Sequence, residues 1–399
     1  MTHPSEKSIL LTGATGLIGR YLMKDLLLAG KSLCVLARPS KKTSAEKRID
    51  DIIRMWEKQL HIELPRPHVV SGEVTETGLG LNSEARKWVG EHCDRVLHNA
   101  AILEFHGEDR EGEPWRTNLR GTENMLKFCR NTGLRDWHYV STAYVSGARG
   151  GRIMESELNC GQGFRNDYEE SKFLSESAVR AADFLDQLTV YRPAVVAGDS
   201  VTAYTSTYHG IYLYLRIIAL VVQDKEPDPD GVRRFSLRWN CTGNEFRNIV
   251  PVDWVSAAMT RLFLNPTAHG GTYHLAPQTP TTLRDLCAYV SSYFNTSGVE
   301  FCGKAPEDMS EFERESYAQV AIYEPYLTTD PTFDITNLLK FTSDLPSPKI
   351  DEAMIHRFIK FGEDDKWGKR RGAPILAAPM PAPMPVTAGM SANLANGSR

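Results

Sequence analysis

Through the first half of the chain, short apolar runs alternate with longer stretches whose apolar residues recur at helical spacing. "KSILLTG" is β-rich, short and stopped by glycine, which predicts a buried strand. "LIGRYLMKDLLLAG" follows as a helix and ends on Gly30, a stop signal. "SLCVLARPS" predicts a second strand and "TSAEKRIDDIIRMWEKQL" a long amphipathic helix. Three more strands are expected in "PHVVSGEV", "CDRVLHNAA" and "RDWHYVSTAYV", separated by helical stretches around Ser83–Val89 and Glu113–Arg130. A sixth is expected in "LTVYRPAVVAGDS".

Strands that are apolar along their whole length need cover on both faces, which implies a parallel sheet between helical layers. Right-handed crossovers then favour an α/β fold with a Rossmann-like, doubly wound parallel sheet, its sites at the carboxyl ends of the strands. Beyond about Ser200 the pattern loosens. Short helices, "FRNIVPVDWVSAAMTRLFL" and "GGTYHLAPQTPTTLRDLCAYV" predict a smaller C-terminal α/β lobe closing over the crevice. The expected division is 1–200 for the sheet domain and 201–371 for the lobe, the two interleaved. From Gly372 the chain is rich in Ala, Pro, Met and Gly without periodicity, so 372–399 is expected to be a disordered tail.

Composition narrows the function classes. Hydrophobic content of 41% and charged content of 24% are ordinary for a soluble globular chain. A formal net charge of −4 shows no basic excess, so nucleic acid is not an expected partner. The 7 cysteines are scattered, with no Cys-x-x-Cys pair, which predicts reduced thiols in the cytoplasm. His98, His106 and His138 have no metal-ligand spacing, and no metal is expected. The N-terminus has no long apolar region before a cleavage site, so secretion is not expected. The most apolar run, "GIYLYLRIIALVVQ" (Gly210–Gln223), carries Arg216 and is too short to span a bilayer. A buried helix is expected there, without membrane contact.

Between the first strand and the first helix, "LLTGATGLIGR" places Gly13, Gly16 and Gly19 at G-x-x-G-x-x-G spacing. Glycines permit a tight turn and let backbone N–H groups approach a pyrophosphate. The helix start, opened by Leu17 and Ile18, adds its positive end. Thr12 and Thr15 supply hydroxyls to brace the turn. A turn that merely packs strand on helix is the bland alternative; the strand–turn–helix context favours a dinucleotide. At the end of the second strand, "LARPSKK" has Arg38 where NAD-binding chains carry an acid. A guanidinium binds a 2′-phosphate bidentately and a carboxylate would repel it, so NADP(H) is expected over NAD(H). Further on, "NDYEESKFLSE" sets Tyr168 and Lys172 one helical turn apart, with Glu169, Glu170 and Glu176 expected on a solvated face.

These residues carry a resemblance. "TGATGLIG", "HNAA" (98–101), "NLRGT" (118–122), "YVSTAYV" (139–145), "YEESK" (168–172) and "YRPAVVAGD" (191–199) follow in an order that resembles an extended short-chain dehydrogenase/reductase. The likeness covers most of the first 260 residues, and "NIVPVDWVSAAM" is similar to a late segment of that superfamily. The arginine-ended second strand, "SGEVTETGLGL" and "YEESKFLSE" look like its thioester-reductase and fatty-acyl-reductase, male-sterility-like branch.

The resemblance implies that Tyr168 exchanges a proton with the substrate oxygen. Lys172 would bind the nicotinamide ribose and lower the tyrosine from its ordinary value of about 10. Thr142 would hydrogen-bond the carbonyl, with Ser141 and Asn118 in backbone-bonding roles. Glu73, where the superfamily more often has Asp, and Val74 would lie at the adenine edge. Asn99, Ala100 and Ala101 would line the cofactor, with Pro193 and Val195 bordering the nicotinamide, Val195 through its backbone N–H. Tyr204, Tyr208, His209, Tyr212 and Leu213 stand near the expected pocket entrance. The implied activity is NADPH-dependent reduction of an acyl thioester or a derived aldehyde or ketone. No carrier or adenylation domain is recognisable, so the substrate is expected as a small molecule, such as a coenzyme A thioester, or on a separate carrier. A homodimer is compatible with this reading. Two alternatives remain, an NAD-dependent nucleotide-sugar epimerase or dehydratase and a non-catalytic NADP-binding regulator. Arg38 counts against the first and the Tyr/Lys pair against the second.

Overall fold

The first half runs β1 (Ser8–Thr12), α1 (Leu17–Leu28), β2 (Leu33–Ala37), α2 (Ala45–Leu60), β3 (His68–Ser71), α3 (Ser83–His92), β4 (Cys93–His98), α4 (Gly121–Thr132), β5 (Asp136–Val140), β6 (Arg152–Ile153), α5 (Asp167–Arg180) and β7 (Gln187–Pro193). The second half runs β8 (Val195–Ala197), α6 (Ile211–Gln223), β9 (Arg233–Trp239), β10 (Phe246–Arg247), β11 (Ile249–Pro251), α7 (Val252–Leu264), β12 (Thr272–Leu275), β13 (Thr281–Thr282), α8 (Leu283–Phe294), β14 (Thr296–Phe301), α9 (Glu311–Val320), β15 (Thr332–Phe333), α10 (Thr336–Thr342) and α11 (Glu352–Asp364). The computed structural model describes residues 7–223, 225–320, 326 and 330–369. The tail from Gly372, expected to be disordered, lies outside the described residues.

All six expected strands are present, in one parallel sheet of order β12-β7-β5-β4-β1-β2-β3. The seventh strand is a difference from the sequence reading, which put "GGTYHLAP" in the second lobe. β12 instead pairs with β7, Tyr273 beside Tyr191, and α7 packs on α1. Four residues show no periodicity of their own; their place is set by tertiary pairing. The helix expected across Glu113–Arg130 opens with a π-helical turn, Arg116–Arg120, before α4 begins.

α1, α2 and α7 cover one face, with Leu22, Leu26, Ile53, Trp56, Val255 and Leu262 in the core. α3, α4 and α5 cover the other through Val89, Met125, Phe128 and Val179. Each such side chain contributes about 1.5–3 kcal/mol by leaving water. Side chains cap several helix starts: Ser44, Asn82, Asn166, Thr282 and Asp351 accept backbone N–H groups of α2, α3, α5, α8 and α11. α1 starts differently, on Gly16, with no side-chain cap and no acidic residue in its first turn.

In the second half, β9 and β14 make a parallel pair that α8 and α9 touch, and α6 packs beside α8. The expectation of a buried α6 is met only in part. Leu215 and Ala219 are buried, Ile217, Ile218 and Val221 are half-buried, and Leu220 is 50% exposed. Among the described residues no helix is long and apolar enough to cross a membrane. All seven cysteines are free.

Candidate active site

A cavity of about 840 Å³ opens where the carboxyl ends of β1, β2, β4, β5 and β7 meet. Its walls include Gly13, Thr15, Gly16, Leu17, Ile18, Arg38, Glu73, Val74, Asn99, Ala100, Ala101, Thr142, Tyr168, Lys172, Pro193, Val195, His209 and Tyr212. One space gathers most of the residues singled out in the sequence. Gly19, Tyr204, Tyr208 and Leu213 lie off these walls. A Cβ on Gly19 would come within 2.1 Å of Gly13 O, so its smallness seats α1 on the turn. Tyr204 Oη accepts from Arg20 Nη1 at 2.7 Å, and its ring packs against Tyr21 and Trp56. Tyr208 donates to Asp365 Oδ2 at 2.6 Å. Both tyrosines tie the lobe to its surroundings. Tyr212 reaches the wall with its ring, while its hydroxyl accepts the Gly198 N–H at 3.0 Å.

The glycine turn is built as a cradle. Gly13 has φ +69°, and a Cβ there would meet Ala100 N at 2.7 Å, so only glycine fits. Thr12 Oγ1 accepts the N–H groups of Asn99 and Ala100, each at 3.1 Å, and Asn99 Nδ2 donates to Gly13 O at 3.2 Å. These bonds lock β1 to β4 at the point where the strand order reverses, the usual ligand crevice of such sheets. The first N–H groups of α1, free of a side-chain cap, point out of this turn. An electropositive helix end beside a turn without side chains fits a dinucleotide pyrophosphate.

At the β2 end of the cavity, Arg38 Nη1 meets Glu73 Oε1 at 2.8 Å. The longer carboxylate of Glu73 meets the guanidinium, and both Glu73 and Val74 line the cavity. Arg48 Nη1 donates to the Arg38 backbone carbonyl. Burial holds the Arg48 pKa below its ordinary value, and the Arg38 and Arg20 guanidiniums add to the effect. Sequence reading passed over Arg48 because it stands within the charged run "AEKRIDD".

The side of the cavity that holds Tyr168 is equally fixed. Asn166 Oδ1 accepts the Glu169 N–H at 3.0 Å, and Asp167 Oδ2 accepts the Gly107 N–H at 2.8 Å. Tyr168 therefore projects from the first turn of a helix anchored at its start. Burial pushes its phenol up to about 12, while the neighbouring Thr142 hydroxyl works the other way. That hydroxyl donates to Pro193 O at 3.4 Å and accepts the Tyr144 N–H at 3.3 Å. Lys172 is not among the groups that shift it, contrary to expectation. Its Nζ donates instead to Tyr139 Oη at 3.0 Å and Val140 O at 2.8 Å. Burial brings the Lys172 ammonium down to about 7, with the Glu176 carboxylate opposing. Behind it, His98 Nε2 lies 3.2 Å from Thr122 Oγ1 and its Nδ1 2.8 Å from Thr12 Oγ1, a buried polar path to the glycine turn. Tyr139 was not found from sequence, since an aromatic residue in a strand reads as core.

Three expectations need correction. Glu169 and Glu176 are buried. Arg165 Nη1 pairs with Glu169 at 3.2 Å, and Arg192 grips Glu176 through Nη2 at 2.6 Å and Nε at 3.1 Å. Arg165 stands four residues before Glu169, and Arg180 four after Glu176, so helical spacing marks those pairs; Arg192 comes from β7. Glu170 is half-buried and meets Arg110 at 2.7 Å. Second, the Val195 N–H already donates to Asn248 O at 2.9 Å in strand pairing and cannot serve a nicotinamide. Third, the histidines are not all isolated. Asp136, His138 and His269 bring ligand-type atoms within 4.8 Å of one another. That group sits at the amino end of β5, with Arg95 Nε 3.9 Å from Asp136, and none of the three lines the cavity. Asn118 bonds backbone with its side chain, through Ile102 N and O, whereas Ser141 does so through its main-chain N–H, which donates to Tyr191 O at 2.7 Å.

A family model described as "Male sterility protein" matches residues 11–259. The chain belongs to that family. It is an NAD(P)-dependent oxidoreductase of the extended short-chain dehydrogenase/reductase superfamily, in its thioester-reductase-like branch. It is 26% identical over 301 residues to the nonribosomal peptide synthetase asaC of Aspergillus flavus, covering 71% of this chain and 27% of that one. To the aldehyde reductase lnaA of the same species it is 23% identical over 398 residues, covering 90% and 36%. The chain thus spans 27% and 36% of these relatives' lengths. The terminal R domain from the myxalamid PKS-NRPS biosynthetic pathway superposes with a TM-score of 0.70 at 23% identity, over 92% of each chain. UDP-glucuronic acid 4-epimerase from Bacillus cereus gives 0.61 at 16%, over 89% of this chain and 99% of that one. At these identities both likenesses show the fold.

Proposed function

We propose that this family member reduces acyl thioesters, or aldehydes and ketones derived from them, with NADPH. One observation carries the reading: a single cavity holds the uncapped start of α1, the guanidinium of Arg38 and the Thr142–Tyr168–Lys172 group. Arg38, with Arg48 beside it, offers the charge that a 2′-phosphate needs.

When bound, a reduced nicotinamide supplies hydride to the substrate carbonyl carbon. Tyr168 keeps its proton through neutral pH because burial raises it, and donates that proton to the carbonyl oxygen as charge develops there. Thr142, beside Tyr168 on the cavity wall, would hold the same oxygen in place. Lys172, fixed by Tyr139 and Val140, presents its ammonium to the ribose hydroxyls. With a thioester, the first addition gives a hemithioacetal, which releases the thiol and leaves an aldehyde. The likeness to an aldehyde reductase and to a nonribosomal peptide synthetase supports an acyl group carried on coenzyme A or on a carrier protein.

The test follows NADPH absorbance with acyl-coenzyme A, carrier-bound acyl, aldehyde and nucleotide-sugar substrates. Tyr168→Phe should lower kcat about 10²–10⁴-fold with cofactor binding retained. Full activity in that variant overturns the proton-donor assignment. Equal use of NADH overturns the cofactor assignment, and turnover of a nucleotide sugar alone overturns the substrate class.

A further inference from the structure

A second cluster of ligand-type side chains lies at the opposite end of the sheet from the cavity. Asp136 and His138 are alternate residues of β5 and so leave the same face of the strand. His269 stands in the loop between α7 and β12, held beside β7 by the Gly270 N–H, which donates to Thr189 Oγ1 at 3.0 Å. His138 Nε2 lies 3.4 Å from Asp136 Oδ1, and the two imidazole rings meet edge to face with centroids 4.6 Å apart. His138 is wholly buried, yet among the described residues neither its Nε2 nor Asp136 Oδ1 has a hydrogen-bond partner. Buried polar atoms are ordinarily partnered, so this pair asks for a ligand. The outer ring nitrogens are engaged. His269 Nε2 donates to Phe263 O at 2.8 Å, which leaves the Nδ1 lone pair open, and His138 Nδ1 lies 2.9 Å from Tyr191 Oη. Metal-bound histidines are oriented in this way, through the nitrogen that does not face the ion.

We propose that Asp136, His138 and His269 form a zinc site, with water as the fourth ligand. Two ligands about 2.0–2.1 Å from a tetrahedral metal stand about 3.4 Å apart, the separation of His138 Nε2 and Asp136 Oδ1. All three donor atoms lie within 4.8 Å of one another, and the loop that carries His269 can close the remainder. Two imidazoles and one carboxylate suit zinc better than calcium or magnesium, which ask for oxygen. Arg95 opposes a cation here, since its Nε is 3.9 Å from Asp136 Oδ2. Its charge is already met by Asp94 Oδ1 at 3.2 Å, and it does not approach the Asp136 Oδ1 that faces His138. In the sheet order β7 lies between β5 and β12, so the ion would tie three neighbouring strands at their amino ends. None of the three ligands lines the cavity, so the site is structural and not catalytic.

The full chain, stripped with a chelator, is titrated with zinc chloride by calorimetry and with cobalt(II) by visible absorption. One ion per chain should bind, and cobalt should give the intense d–d bands of a tetrahedral site without a thiolate charge-transfer band. Zinc at a hundred times its Kd should raise the thermal midpoint by a few degrees. His269→Ala and Asp136→Asn should each weaken zinc about 100-fold or more and abolish that rise, and Tyr191→Phe should weaken it about ten-fold. Asp136 and His269 are only half-buried, so both ligand variants should fold. If Asp136→Asn does not, His269→Ala decides alone. Absence of zinc binding to the wild type, a thiolate band from the free cysteines, or equal affinity in His269→Ala overturns the site.

Discussion

Two parallel sheets in this molecule hold their apolar residues in opposite states. In the seven-stranded sheet, Leu10, Leu11, Cys34 and Val35 are 0–1% exposed, and β2 is buried at every position. In the two-stranded sheet of the lobe, β9 buries none of its seven residues fully. The first arrangement leaves no freedom, and from it hang the glycine turn, Thr142, Tyr168 and Lys172. The second keeps room beside the same site. On the proposed function, reaction geometry would reside in the packed region and substrate choice in the open one, a division that mutations can break.

The largest effect should come from the buried ion pair behind Lys172. Glu176→Gln leaves the Arg192 guanidinium buried against a neutral amide, and unfolding by denaturant should show a loss of about 3–5 kcal/mol. A change within error would show that the packed region does not depend on this pair. Next come matched truncations. Leu11→Ala should cost about 2–5 kcal/mol, whereas Leu237→Ala, already bordering a cavity, should cost less than about 1 kcal/mol. Equal losses would erase the contrast between the sheets.

A pH series sharpens it further. Burial, with Lys172 nearby, brings His98 from its ordinary 6.5 down to about 3. Between those values the unfolded chain binds the extra proton. The stability from a neutral His98 is therefore complete above pH 6.5 and is lost toward 3, at up to about 1.4 kcal/mol per pH unit. His98→Gln should flatten the acid limb of denaturation curves, and an unchanged limb would refute the assignment. The smallest effect is expected at the exposed edge: Arg38→Ala should weaken NADPH about ten-fold and leave NADH binding nearly unchanged, measured by titration.

What was legible in the sequence was local. The glycine turn, six strands and the Tyr168–Lys172 face each announce themselves within a few residues, and the structure brings them to one cavity. Features made by distant partners were hidden. Glu176 looked solvated because Arg192 meets it from β7, whereas Arg165, four residues before Glu169, was a partner that spacing could have shown. Tyr204 and Tyr208 looked like pocket residues because aromatic residues near an entrance and in a domain joint share one composition. The half-buried stripes of β9 and α8 drew no reading of their own, since periodicity marks a face and not what lies opposite it.

The bare start of α1 has a consequence for the life of the protein. Ser44 closes the start of α2 from within the chain, but among the described residues no side chain does this for α1. A bound diphosphate would complete that helix as a cap does. The cofactor is then a component of the fold, and a concentration a hundred times its Kd adds about 2.7 kcal/mol of stability. Heat resistance and survival against proteases would then track the cell's supply of nicotinamide dinucleotide, so that the enzyme persists where its reductant is plentiful and is cleared where it is scarce.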